Sequence, residues 1–145
     1  MFTPVLRDFV VKASLHAVWE HLSNVERWPT WARHIKRVVV SPAGQLGPAS
    51  SGSIVLRNGI RSTFQMVEFN PYVNWKWVGP LLWMQVCYDH RFEPTPDGGT
   101  HLSWRVDLTG TGAKFAGRLF GAIYNRNLDI AIPLFAAEVD QPLSP

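Results

Sequence analysis

The side chains best suited to chemistry in this chain are Tyr88, His90, Glu68 and Ser62, which lie in segments with the alternation of β-strands. Tyr88 and His90 are two residues apart, so both leave the same face of one strand. A phenol and an imidazole can transfer protons to a substrate, hold a polar group of a bound molecule, or bond only to each other and to water. Glu68 and Ser62 add a carboxylate and a hydroxyl from another strand. Tyr88, His90 and Glu68 are therefore the candidates for acid/base catalysis, with ligand orientation and a purely structural role as the alternatives.

Other patterns with known chemistry are incomplete. Gly110-Thr111-Gly112 precedes a predicted helix, but Phe115 stands where a dinucleotide-binding loop needs its third small residue. His16 and His21 are five residues apart, which places them on different sides of a helix and argues against a zinc site. Cys87 is the only cysteine, so neither an internal disulfide nor a four-thiolate site can form. The sequence predicts no metal and no cofactor.

Charge and composition limit the partners. The 14 Lys and Arg residues against 11 Asp and Glu give a formal charge of +3, and the charges are scattered except around 33–37. This balance is too weak for a nucleic-acid surface, and we interpret the cluster as a solvated face. No apolar run approaches the roughly 20 residues that cross a bilayer, so stable membrane insertion is not expected. One cysteine and no targeting segment favour the cytoplasm. The oligomeric state is left open.

Periodicity predicts the elements that position the candidates. A first strand covers 7–12, and Ser14 caps a helix that ends near Ser23. A second short helix begins at Asn24 and ends before Pro29. Six further β segments follow, at about 38–40, 54–57, 60–69, 73–78, 82–93 and 100–109, and short turns between them predict an antiparallel meander.

Two details of this pattern carry specific expectations. Asn58-Gly59 predicts a two-residue type I′ hairpin with positive φ at both positions. After Gly112 the period becomes helical to about Val139, and Pro133 is expected to kink that helix. Its apolar stripe, which we expect to face the sheet, consists of Phe115, Leu119, Ile123, Ile130 and Leu134. Residues 1–139 form one predicted domain, and 140–145 form a tail.

This order of elements resembles the START-like (SRPBCC) superfamily, in particular its polyketide cyclase/dehydrase and lipid-transport group. The resemblance rests on Ala13-Ser14-Leu15-His16-Ala17-Val18-Trp19, Trp28-Pro29-Thr30-Trp31, Glu68-Phe69-Asn70-Pro71 and Ala136-Ala137-Glu138. It implies an α+β helix-grip fold of the Bet v 1-like kind. In that fold a seven-stranded antiparallel sheet wraps around a long C-terminal helix, two short helices follow strand 1, and an apolar cavity lies between sheet and helix.

Strand alternation then predicts which side chains line that cavity. Apolar residues of the strands should point inward, together with Tyr88, His90 and Glu68 and with residues of the short and long helices. A β-bulge would reverse the assignment beyond it. The predicted ligand-binding residues are Trp28, Trp31, Phe64, Met66, Trp75, Trp77, Met84, Val86, Tyr88, His90, Trp104, Val106, Leu119, Ile123 and Asn127, and Val73 is also expected to point inward.

Three functions fit such a fold. The first is a carrier or sensor of a small hydrophobic molecule, aromatic or lipid-like. The second is a cyclase or dehydrase acting in the same cavity. In the aromatase/cyclases that this chain resembles, a serine and an arginine hold the polyketide oxygens, but Met66 and Glu68 take those places here, which weakens the enzyme hypothesis. The third is a co-chaperone-like interaction module, which needs an exposed apolar patch, whereas the outward strand faces are predicted to be polar.

Overall fold

Seven strands within residues 1–141, the part of the chain described by a computed structural model, form one antiparallel sheet in the order β1-β7-β6-β5-β4-β3-β2. Two short helices follow the first strand and a long helix ends the fold, as the sequence predicts. Residues 142–145 of the predicted tail lie outside the described residues. The elements are β1 Phe2–Val11, α1 Leu15–Ser23, a 3₁₀ turn Val25–Arg27, α2 Trp28–Trp31, β2 Ile35–Ser41, β3 Ser51–Leu56, β4 Arg61–Asn70, β5 Asn74–Leu81, β6 Met84–Pro94, β7 Thr100–Thr109 and α3 Ala113–Val139.

The first helices begin as expected but end differently. The Ser14 hydroxyl accepts a hydrogen bond from the Ala17 amide at 3.2 Å and caps α1. Pro29 does not end the second helix, which corrects the prediction: it lies in the first turn of α2. A proline is tolerated there because the first amides of a helix have no partner within the helix. The result places Trp28 and Trp31 on one short helix whose indoles are buried.

The hairpin between β3 and β4 has a three-residue loop instead of the predicted two-residue type I′ turn. The Gly59 amide donates to the Leu56 carbonyl at 3.0 Å, and the Leu56 amide donates to Ile60 at 2.8 Å. Gly59 has a φ of 91°, but Asn58 is not in the positive-φ region. This is the pattern of a turn followed by a glycine bulge, and the extra residue removes the need for positive φ at Asn58.

Replacing Gly59 by Ala is therefore expected to lower the free energy of unfolding by about 1 kcal/mol, because a Cβ is disfavoured at this φ. Gly47→Ala is the matched control: its Cβ meets nothing within 4 Å and its φ is not positive. That variant should be neutral or slightly stabilising. Denaturant melts that give the two variants equal stability would contradict the assignment of strain to Gly59.

The buried face of α3 is formed by small residues, and the predicted stripe is on the wrong side. A Cβ at Gly117 would lie 2.5 Å from the Phe2 ring, and one at Gly121 would lie 2.8 Å from Pro4. Only glycine allows β1 to approach the helix this closely. The larger inward side chains of the helix are Phe120, Tyr124, Leu128 and Phe135.

The predicted stripe residues Phe115, Leu119, Ile123 and Ile130 are instead between 56% and 87% exposed, and Leu134 is only half-buried. Leu119 and Ile123 therefore do not line the interior, which corrects their assignment as ligand-binding residues. Hydrophobicity alone gave the wrong side because the face that packs most closely needs small residues. Pro133 lies inside the helix, and the kink there stays a prediction.

The C-terminal turn of α3 is fastened to the two short helices by Glu138. Its carboxylate accepts hydrogen bonds from Thr30 Oγ1 at 2.8 Å, Arg27 Nη2 at 3.0 Å and His21 Nε2 at 3.0 Å. Burial alone raises the pKa of Glu138, but the bonds from Thr30 and Arg27 and the nearby positive charge outweigh it and hold the pKa below its usual value. Asp140, at the start of the predicted tail, also accepts a bond from the Ala13 amide at 2.9 Å.

Glu138→Gln is expected to cost about 1–2 kcal/mol of stability near neutral pH, because it removes an ionised acceptor from three donors. A carboxyl whose pKa is lowered by folding stabilises the protein above its ordinary pKa, and this contribution disappears as pH falls through the lowered value. The gap between wild type and Glu138→Gln should close from about pH 5 downward. Melts at several pH values measure it, with the exposed Glu26→Gln as control; a gap that persists in acid contradicts the assignment.

Candidate ligand-binding site

The strands place most of the predicted site residues on the inner face of the sheet. On β7 the alternate residues from Leu102 to Leu108 are buried, and on β6 the same holds from Met84 to Phe92, with Tyr88 half-buried. This follows from side-chain alternation on strands that have no bulge. The predicted residues with buried side chains are Trp28, Trp31, Phe64, Met66, Trp75, Trp77, Met84, Val86, His90, Trp104 and Val106. Their contact with a ligand stays a prediction.

Aromatic rings fill much of the space between the sheet and the helices. Trp77 stacks on Phe64 with ring centroids 4.1 Å apart, and Trp75 stacks on His90 at 4.7 Å. From α2, Trp28 contacts Trp77 at 5.6 Å and Trp31 contacts Trp104 at 6.0 Å. We call this set the aromatic interior: Trp28, Trp31, Phe64, Trp75, Trp77, His90 and Trp104. The region that the sequence predicts as a cavity thus holds side chains of the protein itself.

Four polar atoms of the aromatic interior have no hydrogen-bond partner. Among the described residues, Nε1 of Trp31, Trp75 and Trp104 and Nδ1 of His90 are buried without a hydrogen bond. Trp28 differs, because its Nε1 donates to the Leu22 carbonyl at 2.8 Å. A buried donor with no acceptor costs about 1–3 kcal/mol, and native proteins contain few of them. Three indole N–H groups and an imidazole nitrogen in one ring cluster therefore form an arrangement that a hydrogen-bond acceptor would stabilise.

The titratable groups of the interior stay neutral over the physiological range. Burial lowers the pKa of His90 to about 3. Burial raises the pKa of Tyr88 to about 12, although a hydrogen bond with Ser62 acts in the opposite direction. The pKa of Tyr124 is raised by burial and by the neighbouring Tyr88. Near pH 7 these groups can donate or accept hydrogen bonds, but none is poised to exchange a proton with solvent.

Half-buried rings mark the end of the interior nearest the start of α3. Tyr124 lies 6.1 Å from Tyr88 and stacks on Phe120 with centroids 5.4 Å apart. Tyr88, Phe120, Tyr124 and Ser62 are all partly exposed, in contrast to Trp75 and Trp77 deeper inside. We call these four residues the mouth. Sequence reasoning found Tyr88 and Ser62 but missed Phe120 and Tyr124; the spacing of Gly117 and Gly121, which marks the closely packed face of α3, was the available signal.

A groove of about 450 Å³ lies at the end of the ladder between β4 and β5. The last pair of the ladder is Gln65 and Val78, and beyond it the backbones of Gly79 and Thr63 stay close together. The groove lining includes two residues of the interior, Phe64 and Met84. The complete lining is Ser51, Thr63, Phe64, Gln65, Val78, Gly79, Pro80, Met84 and Gln85.

Glu68 is not part of the site. The register between β4 and β5 shifts between Met66 and Glu68, so Val67 is an extra residue and the strand beyond it turns over. Glu68 is therefore exposed, and Phe69 turns toward the interior, where it contacts Trp19 at 5.6 Å. Glu68 accepts a hydrogen bond from the Asn74 side chain, which lowers its pKa.

Two other predicted positions, Val73 and Asn127, are not buried. Val73 is exposed, because it lies in the turn before β5 instead of on the strand, which corrects its inward assignment. Asn127 is half-buried on α3. Its role at the site stays a prediction.

Two kinds of site are not found in the part of the chain that the structure describes. Residues 1–141 contain no group of three or more side chains placed to bind a metal ion. Over the same residues, no helix has the length and apolar character needed to cross a membrane.

The comparisons with known proteins agree with the fold. Residues 5–131 match the family model described as polyketide cyclase / dehydrase and lipid transport. A hypothetical protein from Helicobacter pylori has a similar structure, with a TM-score of 0.76 at 14% identity over 92% of this chain and 86% of that one. Ara h 8.0201 gives a TM-score of 0.69 at 12% identity over 95% of this chain and 97% of its own. A protein of unknown function from Staphylococcus aureus gives 0.70 at 15% identity over 94% and 92%. No curated protein matches the chain.

Proposed function

The chain belongs to the polyketide cyclase / dehydrase and lipid transport family, and from this premise we propose that it binds a small, largely apolar molecule in the aromatic interior, as a carrier or sensor. The observation that carries the proposal is the set of unpaired buried nitrogens on Trp31, Trp75, Trp104 and His90. Rings alone would be an ordinary core. Rings whose N–H groups lack acceptors are what a site for an apolar molecule with a polar end requires.

The unpaired groups also define the polar end of the ligand. Three of them are donors in every protonation state, so the ligand must supply acceptors. The buried polar and charged residues of the described chain include no Lys or Arg, and the low pKa of His90 keeps its imidazole neutral. A buried carboxylate or phosphate would find no countercharge. We therefore propose a neutral acceptor, such as a ketone, ester or quinone carbonyl, on an aromatic or aliphatic body.

The ligand needs a path and room. The mouth residues Tyr88, Phe120 and Tyr124 are only partly buried, and we propose that displacement of these rings opens the interior. Met66 and Met84 have flexible side chains that can repack around a guest. We propose that ligand enters at the mouth and shifts these side chains, and that the groove beside β4 and β5 gives the interior room to adjust.

Acid/base catalysis by Tyr88 and His90 is the less favoured alternative. A general acid or base works best with a pKa near the working pH. His90 and Tyr88 have pKa values of about 3 and about 12, far from neutrality on opposite sides. Glu68 lies outside the interior, and Met66 cannot stabilise an enolate.

We also keep the cytoplasm as the proposed location, since Cys87 is a free thiol.

The proposal is tested with two probes of the same carbon skeleton, 2-acetylnaphthalene and 2-ethylnaphthalene. Only the first has a carbonyl, so it should bind two- to tenfold more tightly, the equivalent of roughly 0.5–1.5 kcal/mol for one hydrogen bond. In Trp104→Phe the ring stays but the donor is lost, and the preference should shrink. Calorimetric titration measures both affinities, with Trp83→Phe at the surface as control.

Two outcomes of this titration count against the proposal. Equal affinity of wild type for the two probes would remove the acceptor role of the interior. A new product recovered from the bound ketone, absent in Tyr88→Phe or His90→Phe, would favour the enzyme over the carrier.

A further inference from the structure

Large exposed apolar side chains lie on the turn between β5 and β6 and on one face of α3, near the mouth. Leu82 and Trp83, 76% and 71% exposed, lie at the turn between β5 and β6. Phe115, Leu119 and Ile123 follow at four-residue spacing on α3 and therefore share one face of the helix. Trp83 Nε1 donates to the Thr111 carbonyl at 2.8 Å, which fixes this turn against the start of the helix. We call these five residues the apolar ridge.

The surface at the start of α3 is more apolar than the sequence predicts. The sequence predicts polar outward strand faces and places Phe115, Leu119 and Ile123 on the stripe of α3 that is expected to face the sheet. The structure exposes them, and large exposed patches on soluble proteins mark sites of interaction with proteins or membranes. The apolar ridge therefore needs an occupant.

The charges around the apolar ridge favour an anionic occupant. Residues 110–128 contain Lys114, Arg118 and Arg126 and no acidic residue. All three basic side chains are exposed. The first acidic residue of α3, Asp129, is paired with Arg7 at 2.8 Å. No charged residue occurs between 78 and 88, so the turn that carries Trp83 does not offset the basic helix.

From these observations we propose that the apolar ridge docks on an anionic lipid bilayer, with its side chains at the level of the headgroups and Lys114 and Arg118 against lipid phosphates. Exposed Trp, Phe and Leu beside basic residues are the composition of peripheral helices that lie in the membrane interface. The Trp83 N–H is already satisfied by Thr111, so the indole enters an apolar region without an unpaired donor.

A second copy of the chain fits the same surface less well. In a two-fold symmetric contact the same patch meets itself. The positive charges of Lys114, Arg118 and Arg126 would then be brought together from both copies, and like charges oppose the contact. A bilayer that carries negative charge can bind both the apolar side chains and the basic side chains of this surface.

Docking would also orient the mouth. Phe120 and Tyr124 leave the same turns of α3 as Leu119 and Ile123, on the inward side, so a docked helix holds the mouth next to the bilayer. This goes beyond the proposed function, because the apolar ridge and its charges stand whether or not the interior binds a ligand. The two proposals can therefore fail separately.

Flotation of the full chain with vesicles tests the docking. Wild type should bind vesicles that contain one third phosphatidylglycerol at least tenfold better than pure phosphatidylcholine, and added salt should release it. Lys114→Gln with Arg118→Gln should lower binding to the anionic vesicles about 25-fold, since each basic residue near such a surface contributes about fivefold. Phe115→Ser with Leu119→Ser should lower it at least tenfold.

A matched control uses other exposed apolar residues. Leu6 and Val10 on β1 are 59% and 63% exposed and lie outside the apolar ridge, so Leu6→Ser with Val10→Ser should leave binding unchanged. Thermal melts check that each variant is folded. The proposal is overturned if wild type does not bind anionic vesicles. It is also overturned if Leu6→Ser with Val10→Ser lowers binding as much as Phe115→Ser with Leu119→Ser. A dimer in light scattering that Phe115→Ser with Leu119→Ser dissociates assigns the surface to a second copy and overturns it as well.

Discussion

Trp75→Ala is expected to lower the free energy of unfolding by about 3–5 kcal/mol, a large part of the stability of a domain this size. The indole is completely buried and packs against His90 at 4.7 Å, Trp19 at 5.4 Å and Phe92 at 5.4 Å. Its removal loses this burial and leaves a cavity between β5 and the short helices. Denaturant melts measure the loss.

Trp83→Ala is the matched control, because the same residue type is removed from the surface. It should cost less than about 1 kcal/mol, mainly the hydrogen bond to Thr111. Trp75→Phe separates ring from donor: it keeps most of the packing and deletes an unpaired N–H, so it should cost much less than the alanine variant. Equal losses in Trp75→Ala and Trp83→Ala would contradict the assignment of Trp75 to the centre of the core.

Ser62→Trp is expected to weaken binding of 2-acetylnaphthalene at least tenfold. Ser62 is half-buried at the mouth beside Tyr88, and an indole in that position would occupy the proposed entrance. Val67→Trp is the control on the same strand: Val67 is the bulge residue of β4 and points to solvent. Calorimetric titration of both variants gives the affinities, and melts confirm that each is folded.

The two variants test whether the mouth is the entrance to the interior. If Ser62→Trp binds the probe as wild type does, the mouth is not the entrance. If Val67→Trp weakens binding as much as Ser62→Trp, the effect comes from the strand and not from the mouth. Either result contradicts the proposed route.

The sequence was sufficient where one simple period continues through an element. On β6 and β7 alternation runs without interruption from Met84 and from Thr100, so the inward residues and the location of Tyr88 and His90 were predictable. Ser14 as a helix cap was predictable for a similar reason, since its side chain acts on the first turn that follows it. In these places local sequence and tertiary contacts agree.

The prediction failed where a tertiary contact overrides the local period. A single extra residue at Val67 turns Glu68 to solvent, and the types of the neighbouring residues do not predict this bulge. On α3 the close approach of β1 requires Gly117 and Gly121 on the buried face, so the more hydrophobic stripe is left outside. The ring pairings and the unpaired nitrogens depend on three-dimensional geometry, which composition and spacing do not encode.

The indole N–H signals of the seven tryptophans test the central claim most directly. In a ¹⁵N-labelled sample each Nε1–H gives one proton–nitrogen correlation, and single Trp→Phe variants assign them. Titration with 2-acetylnaphthalene should move the signals of Trp31, Trp75 and Trp104 to lower field, because these N–H groups gain an acceptor.

Trp28 and Trp83 serve as internal references in the same spectra, since their N–H groups already donate to Leu22 and Thr111. Their signals should stay nearly unchanged, and 2-ethylnaphthalene should produce no downfield shift at any of the three interior indoles. If the ketone instead shifts only Trp83, or leaves Trp31, Trp75 and Trp104 in place while it binds, the aromatic interior is not the ligand site.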